Sequence, residues 1–418
     1  MRRSKAVLLL CRRTREAEDI PRRLQNIEMN VITFRLRLLL TAFGNPRVKS
    51  AMSNNLPKLS IEQVDVSTFT VPTDLPEADG TFEWKKTTLV LAEARAGGKL
   101  GLGYTYADQS TATLVRDTLA DVVKGADALS PPGAYALMWR RVRNLGRPGI
   151  CSMAISAVDC ALWDLKARLL DLPLVTLLGQ IREGAAIYGS GGFTSYSDRQ
   201  LGDQLSGWVK QGIPRVKMKI GRDAIRDIER VRVAREAIGQ QAELYVDANG
   251  AYTRKQALAQ AERFAAYDVR WFEEPVSSDD LEGLRLIRDR APVGMDIAAG
   301  EYGYDIFYFQ RMLAAGAIDV QQADITRCGG VTAFLQVASL CQAHNVQLSG
   351  HTAPALHAHV ACSVPLFRNL EYFHDHVRIE RMLFDGLPQL VQGELRPDLS
   401  RPGTGLELKR VDAKKFAA

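Results

Sequence analysis

Three short runs, RVKMKI (residues 215–220), ELYVDANG (243–250) and RWFEEP (270–275), follow one pattern. Each begins with β-branched, aromatic or aliphatic residues and ends on polar side chains able to do chemistry. Amphipathic stretches, Asp223–Ile238 and Arg254–Ala266, fill the gaps between them. Strand, helix, strand at this spacing is the βαβ unit. The same alternation extends outward in both directions. Upstream lies Ala185–Tyr188; downstream lie Val293–Ala298, Ile318–Gln321, Val346–Leu348 and Asn369–Tyr372, with helical patterns at Asp279–Arg290, Ile306–Ala314 and Val331–Ala343. Eight apolar runs separated by helix-length gaps predict an α/β fold, a TIM-type (β/α)8 barrel over residues 183–377. The competing open, doubly wound sheet is disfavoured. No GxGxxG stands at a strand-to-helix turn, and Gly189, Gly191 and Gly192 lack that spacing.

Residues 58–182 follow a different pattern. Ile61, Val64 and Val66 mark an extended stretch, and Thr87–Ala94 a second, across an expected turn-rich loop with Pro72, Pro76 and Gly80. Helical patterns follow at Thr111–Val123, Pro132–Leu145 and Ser152–Leu170. The last carries Ala154, Ala157 and Ala161 on a small-residue face suited to close packing. Strands followed by helices without alternation predict a separate α+β domain.

The net charge of +6 is unevenly placed. Residues 1–51 hold 12 Lys/Arg against 4 Asp/Glu, which leaves 42 against 44 for the rest. Residues 1–57 are therefore read as a basic extension outside the fold. It superficially resembles a transit peptide; the preferred expectation is translated upstream sequence with the true start at Met52. The body of the chain shows no basic stripe, so nucleic acid is not an expected partner. No run reaches the ~18 apolar residues of a membrane helix, and Val31–Phe43 is broken by Arg35 and Arg37. The six cysteines include no CxxC, which disfavours a disulfide framework or a zinc site and fits a reducing cytoplasm.

Lys219, Asp247, Glu273, Glu301, Asp324, His351 and Glu371 fall near the ends of successive apolar runs, at intervals of 28, 26, 28, 23, 27 and 20 residues. In a barrel the strand C-termini share one mouth, where active sites are built. Asp247, Glu273 and Glu301, from three adjacent strands, form a hard-oxygen set suited to Mg²⁺. The alternative, salt bridges to neighbouring Lys and Arg, explains the register less well. Alternation aims Lys217 and Lys219 at one face and Met218 at the other, and two neighbouring ammonium groups are expected to depress each other's pKa. Asp324 is placed to orient His351.

Together these residues resemble the enolase superfamily, mandelate racemase subgroup. The matching pieces are Lys217-Met218-Lys219, Asp247-Ala248-Asn249, Glu273-Glu274-Pro275, Gly300-Glu301, Asp324 with Cys328-Gly329-Gly330, His351 and Glu371. Residues 153–165 resemble the helix leading into that family's barrel, and 402–406 its returning C-terminal segment. The resemblance implies a capping domain over the mouth, completed by about 378–418. It implies Mg²⁺ on Asp247, Glu273 and Glu301, with Lys219 and His351 as bases on opposite substrate faces. Lys217 would tune Lys219, and Lys217, Asn249 and Glu371 would contact the substrate. Arg327 stands where some relatives carry lysine. A specificity loop is implied within Val71–Phe82.

A proton α to a metal-bound carboxylate can be removed to give an enediolate. Reprotonation from the other face makes a racemase or epimerase; loss of a 3-hydroxyl makes an acid-sugar dehydratase yielding a 2-keto-3-deoxy acid. The dehydratase is preferred because such enzymes outnumber racemases in the subgroup. A non-catalytic barrel would leave the acid, base and metal set without purpose. A homo-oligomer acting on a small carboxylate, without membrane or nucleic acid, is the expectation.

Overall fold

Within residues 59–418, the span described by this computed structural model, the chain first builds an antiparallel sheet. Its strands are β1 (Gln63–Ala78), β2 (Glu83–Ala96) and β3 (Lys99–Tyr106), in that order. Two features depart from the expectation. The segment read as a turn-rich loop is mostly strand: β1 continues past Pro72 and Pro76 to Ala78, with an irregular register between Pro72 and Glu77. β1 is an edge strand, where a missing amide costs no ladder bond. The third strand, β3, escaped notice because Gly101 and Gly103 depress its β signal. Those glycines have a packing reason. A Cβ on Gly103 would stand 2.3 Å from the Ala157 carbonyl oxygen and the Ala161 nitrogen. The small-residue helix therefore lies directly on β3.

The helices of this part are α1 (Gln109–Leu114), which runs through a π turn (Val115–Leu119) into α2 (Ala120–Val123), then α3 (Pro131–Arg141) and α4 (Ile150–Leu169). Residues 59–418, extension excluded, form one compact unit.

The barrel strands are β4 (Ala185–Gly191), β5 (Arg215–Lys219), β6 (Glu243–Asp247), β7 (Val269–Glu273), β8 (Asp296–Ala299), β9 (Val320–Ala323), β10 (Gln347–Gly350) and β11 (Phe367–Phe373). They pair in parallel in sequence order, and β11 pairs with β4 to close the ring. The eight apolar runs of the sequence coincide with these strands. β8, β9 and β10 begin later than expected, β8 by the most, because Pro292 and Gly294 hold its approach in a turn. The fold is thus a (β/α)8 barrel with an N-terminal antiparallel sheet domain.

Inside the ring, Tyr188, Tyr245, Trp271, Ala298 and Val320 fill the lower layer, with Tyr245 stacked on Trp271 at 5.2 Å. This plug floors the site. The C-terminal segment returns to the N-terminal part. Thr404 donates through its amide and hydroxyl to Asp164 Oδ1 at 2.6 and 2.9 Å, and the Ala418 amide donates to the Thr68 carbonyl at 3.1 Å. Among the described residues no helix is long and apolar enough to cross a membrane. The basic extension lies outside them.

Candidate active site

Residues 217 and 219 share a face of β5, as alternation requires, and point into the barrel above the aromatic plug. Met218 between them joins the outer hydrophobic core. Lys217 is fully buried. Its Nζ donates to Glu273 Oε1 at 2.5 Å and lies 2.8 Å from Glu371 Oε1 and 3.4 Å from Asp247 Oδ2. Lys219, one step nearer the mouth, donates to Asp247 Oδ2. Burial alone lowers a lysine pKa, but here the carboxylates outweigh both burial and the neighbouring ammonium. Glu273 and Glu371 hold Lys217, and Asp247 holds Lys219, above the ordinary lysine range. Lys217 does depress Lys219 as expected, but in the protein alone the carboxylates outweigh it.

Asp247 and Glu273 end β6 and β7, and Glu301 follows β8. One oxygen from each lies within 4.8 Å of the others, and all three residues are buried. Glu273 Oε2 accepts from the Trp271 indole at 2.9 Å. Burial, then Asp247, raises the Glu273 carboxyl to about 8, and burial with Glu301 raises Glu274 well above the usual range. Glu274 Oε1 is buried without a hydrogen-bond partner, and Glu301 Oε2 has only His351 Nε2 nearby, at 3.3 Å and outside good hydrogen-bond geometry. Crowded hard oxygens with an orphaned acceptor are the donor set that a small divalent cation satisfies.

His351 follows β10. Its Nδ1 sits 2.8 Å from Asp324 Oδ2, and its Nε2 lies 3.3 Å from Glu301 Oε2 and 3.5 Å from Glu371 Oε2. Burial lowers its proton affinity, but Glu301, Glu371 and Asp324 together carry it up to about 10. Asp324 itself, despite burial, is held below the usual carboxylate range by His351 and Arg327. Glu371, within β11, accepts from the Ser190 hydroxyl at 2.6 Å and the Thr352 amide at 3.1 Å. Burial opposes its ionisation, yet Lys217 and His351 bring it down to about 2.

Lys219, Asn249, Glu301 and His351 line a cavity of about 560 Å³. Its far wall belongs to the N-terminal domain: Asp79, Thr81, Phe82, Trp84 and Tyr106 all reach it. Lys219 on β5 and His351 after β10 are three strands apart by the shorter way round the ring, and β6–β8 with their carboxylates span the longer way. All nine sequence-selected residues thus gather at one mouth. Asn249 stands at φ 45° with its amide nitrogen on Asp247 Oδ1 at 2.9 Å, and its side-chain oxygen is buried without a partner.

Sequence reasoning left Arg327 without a role, and the structure gives it a place. It lies 3.6 Å from Glu301 and 3.5 Å from Asp324, bridging two site carboxylates. Tyr106 and His376, stacked at 3.4 Å in the cavity wall, were missed altogether. Neither occupies the strand-end register, the signal by which the others were found.

Two family models match this chain: mandelate racemase/muconate lactonizing enzyme, N-terminal domain, over residues 63–179, and enolase C-terminal domain-like over 200–413. The chain belongs to the mandelate racemase group of the enolase superfamily. It is 34% identical over 315 residues to a 3,6-anhydro-alpha-L-galactonate cycloisomerase of Streptomyces coelicolor, covering 73% of this chain and 86% of that one. It is 31% identical over 326 residues to L-talarate/galactarate dehydratase of Salmonella typhimurium, covering 75% and 81%. A crystal structure of the latter, liganded with Mg and L-lyxarohydroxamate, superposes with a TM-score of 0.80 at 27% identity, covering 88% of this chain and 95% of that one. A mandelate racemase/muconate lactonizing enzyme-like protein from Rubrobacter xylanophilus superposes with a TM-score of 0.84 at 56% identity, covering 86% and 100%. This superfamily member therefore has dehydratases and cycloisomerases of acid sugars among its relatives.

Proposed function

We propose that this enzyme removes the proton α to the carboxylate of an acid sugar and expels the oxygen on C3, giving a 2-keto-3-deoxy acid. The observation that carries the reading is the placement of Lys219 and His351 at two sides of one cavity, with the buried carboxylates of β6–β8 along the wall between them.

Asp247, Glu273 and Glu301 would hold Mg²⁺, as their crowded and under-satisfied oxygens fit. When bound, the cation neutralises carboxylate charge at the lysines and stabilises the enediolate dianion of the substrate. Lys219 takes the α-proton at its Nζ. Lys217, pinned by Glu273 and Glu371, keeps a positive charge beside it and opposes protonation of Lys219 until substrate arrives. Glu371 and the Asn249 side chain meet the substrate's oxygens.

His351 is oriented by Asp324 with Nε2 toward the cavity and gives a proton to the departing oxygen. A galactarate and a 3,6-anhydrogalactonate both carry an oxygen on C3, free in one and in a ring ether in the other, so the proposed elimination would act on either kind of substrate. Reprotonation of C2 by His351 would instead give a racemase or epimerase. The five cysteines of the described residues are free and buried, which supports a reducing cytoplasmic setting.

The test is a panel of aldonates, aldarates and their anhydro forms, with Mg²⁺, assayed for 2-keto acid beside polarimetry on 2-hydroxy acids. On the substrate found, Lys219→Ala and His351→Asn are compared by NMR in D₂O. Each variant is expected to keep the α-proton exchange that depends on the other residue. Loss of all exchange in both variants would refute the two-sided arrangement, and change of rotation without keto acid would favour racemisation.

A further inference from the structure

Among the described residues a second group of metal-competent side chains lies apart from the carboxylates of the barrel mouth. Asp74 and Glu77 belong to the irregular half of β1, and His374 opens the helix His374–Leu383 directly after β11. One ligand atom from each lies within 4.8 Å of the others. His374 Nε2 faces both carboxylate oxygens of Asp74, at 3.1 and 3.0 Å. Glu77 is wholly buried. The Trp84 indole donates to its Oε2 at 2.8 Å, while its Oε1 is buried with no hydrogen-bond partner at all. A buried carboxylate oxygen left unpaired carries a desolvation cost that calls for a donor or a cation. The nearby Arg378 does not supply one, because it is engaged by Asp375 Oδ1 and the Pro72 carbonyl.

We infer that Asp74, Glu77 and His374 form a second divalent-metal site, of Zn²⁺ type, which clamps the mouth-covering segment of the N-terminal domain to the end of the barrel. The donor chemistry selects the ion. Two carboxylates with an imidazole suit Zn²⁺ and its borderline neighbours, whereas Mg²⁺ prefers oxygen and water alone. The size also fits. Ligands about 2.1 Å from zinc stand roughly 3.4 Å apart on a tetrahedron, so a spread within 4.8 Å closes by rotation of the half-exposed Asp74. Three protein ligands leave a fourth position to solvent, on the side where Asp74 and His374 are accessible.

The location gives the site a consequence. The residues on either side of Glu77 are already stitched to the barrel: Ser195 donates to the Pro76 carbonyl at 2.6 Å, and the Thr194 amide to the Ala78 carbonyl at 2.8 Å. Trp84, bonded to Glu77, and Asp79 both line the cavity. A cation here would fix the wall of the cavity from behind without touching the reacting atoms.

The experiment uses the full chain, saturated with Mg²⁺ so that the barrel-mouth carboxylates are occupied, and dialysed against Zn²⁺ before metal analysis. One zinc per chain is expected in addition to magnesium, with a rise in Tm and a change in Trp84 fluorescence. His374→Asn, at a partly exposed position that tolerates exchange, should weaken Zn²⁺ binding by more than the roughly 10–100-fold typical of merely supporting partners, with magnesium content unchanged. Glu77→Gln should do the same. No zinc above the Mg²⁺-saturated background, or equal zinc in wild type and His374→Asn, overturns the inference. Neither result bears on the dehydration reading, which is tested by product and exchange.

Discussion

Asp324→Asn reverses a single hydrogen bond while keeping the shape of the side chain. Asp324 Oδ1 accepts from the Thr326 amide and hydroxyl, each at 2.7 Å, and Oδ2 faces His351 Nδ1 at 2.8 Å. The Thr326 amide can only donate, so an asparagine must leave its oxygen there and turn its NH₂ on His351. Nδ1, which donates to a carboxylate, would then have to accept, and the ring proton would move to Nε2. Nε2 in that tautomer cannot take a proton from carbon. The same exchange beside an imidazole base elsewhere costs about 10⁴ in rate, or roughly 5.5 kcal/mol. One contact here softens the penalty: the Thr352 hydroxyl lies 3.3 Å from Nδ1 and can accept its proton instead. The expected loss of His351-dependent exchange is therefore about 10³-fold, between the full tautomer penalty and the roughly 10–100-fold of a lost supporting partner. The assay is wash-in of deuterium at the α-carbon, followed by NMR on the acid sugar identified above. Lys219-dependent exchange should stay within about threefold of wild type. A loss below tenfold, or an equal loss in both exchanges, would refute the tautomer mechanism.

Removal of divalent cations should abolish turnover and Mg²⁺ should restore it, whereas Asp247→Ala should not be rescued; full turnover in chelator-treated protein counts against the metal site. Glu380, buried and accepting from the Tyr104 hydroxyl at 2.5 Å and the Ala355 amide at 3.2 Å, has its pKa raised by burial from 4.5 to about 8. The folded state then holds the proton more tightly, so stability is full below pH 4.5 and declines as pH rises toward 8, by up to about 5 kcal/mol. Glu380→Gln keeps both contacts if Tyr104 turns to accept, and should flatten that decline in urea titrations at pH 5 and pH 8; an unchanged slope would show that Glu380 is not its source. Gly103→Ala should lower stability by about 3 kcal/mol or prevent folding, since its Cβ would meet backbone of α4 at 2.3 Å. An unchanged Tm would show that the helix can move away.

The barrel was legible because two periodicities coincide. Each strand buries side chains on both faces and so reads as a continuous apolar run, and seven of the eight carry a polar residue at or near the C-terminal end that the ring must gather at one mouth. Lys219 through Glu371 could be found by counting. The N-terminal sheet was less legible for a local reason. β3 hides behind Gly101 and Gly103, which serve α4 rather than the strand, and β1 hides behind prolines that only an edge strand tolerates. The cavity's far wall, from Asp79 to Tyr106, follows no register, since loops and strand edges position it by tertiary contact. Glu77 was invisible on the same grounds. Its burial depends on Trp84 and on a barrel helix some 300 residues away.

The charge balance at the mouth ties these observations together. Six carboxylates gather there: Asp247, Glu273, Glu274, Glu301, Asp324 and Glu371. Facing them are Lys217, Lys219, Arg327 and His351, all buried or nearly so. In the protein alone the six pull protons onto every base, carrying His351 up to about 10, and burial followed by Asp247 raises Glu273 to about 8. A base so held cannot accept a proton at neutral pH. A divalent cation held by Asp247, Glu273 and Glu301 would remove that pull on Lys219, whose partner Asp247 is one of the three. It would take Glu301 from His351 as well, but would leave Asp324 and Glu371, which are not ligands, whereas every carboxylate that raises Lys219 is one. The two sides of the cavity therefore respond unequally to the same ion. Lys219 would become able to accept a proton, whereas His351 would keep two of the three partners that favour its protonated form, making its exchange the slower of the two. On the proposed reading, one side then favours the base and the other the acid. That asymmetry suits expulsion of an oxygen better than racemisation, which needs each side to serve in both roles.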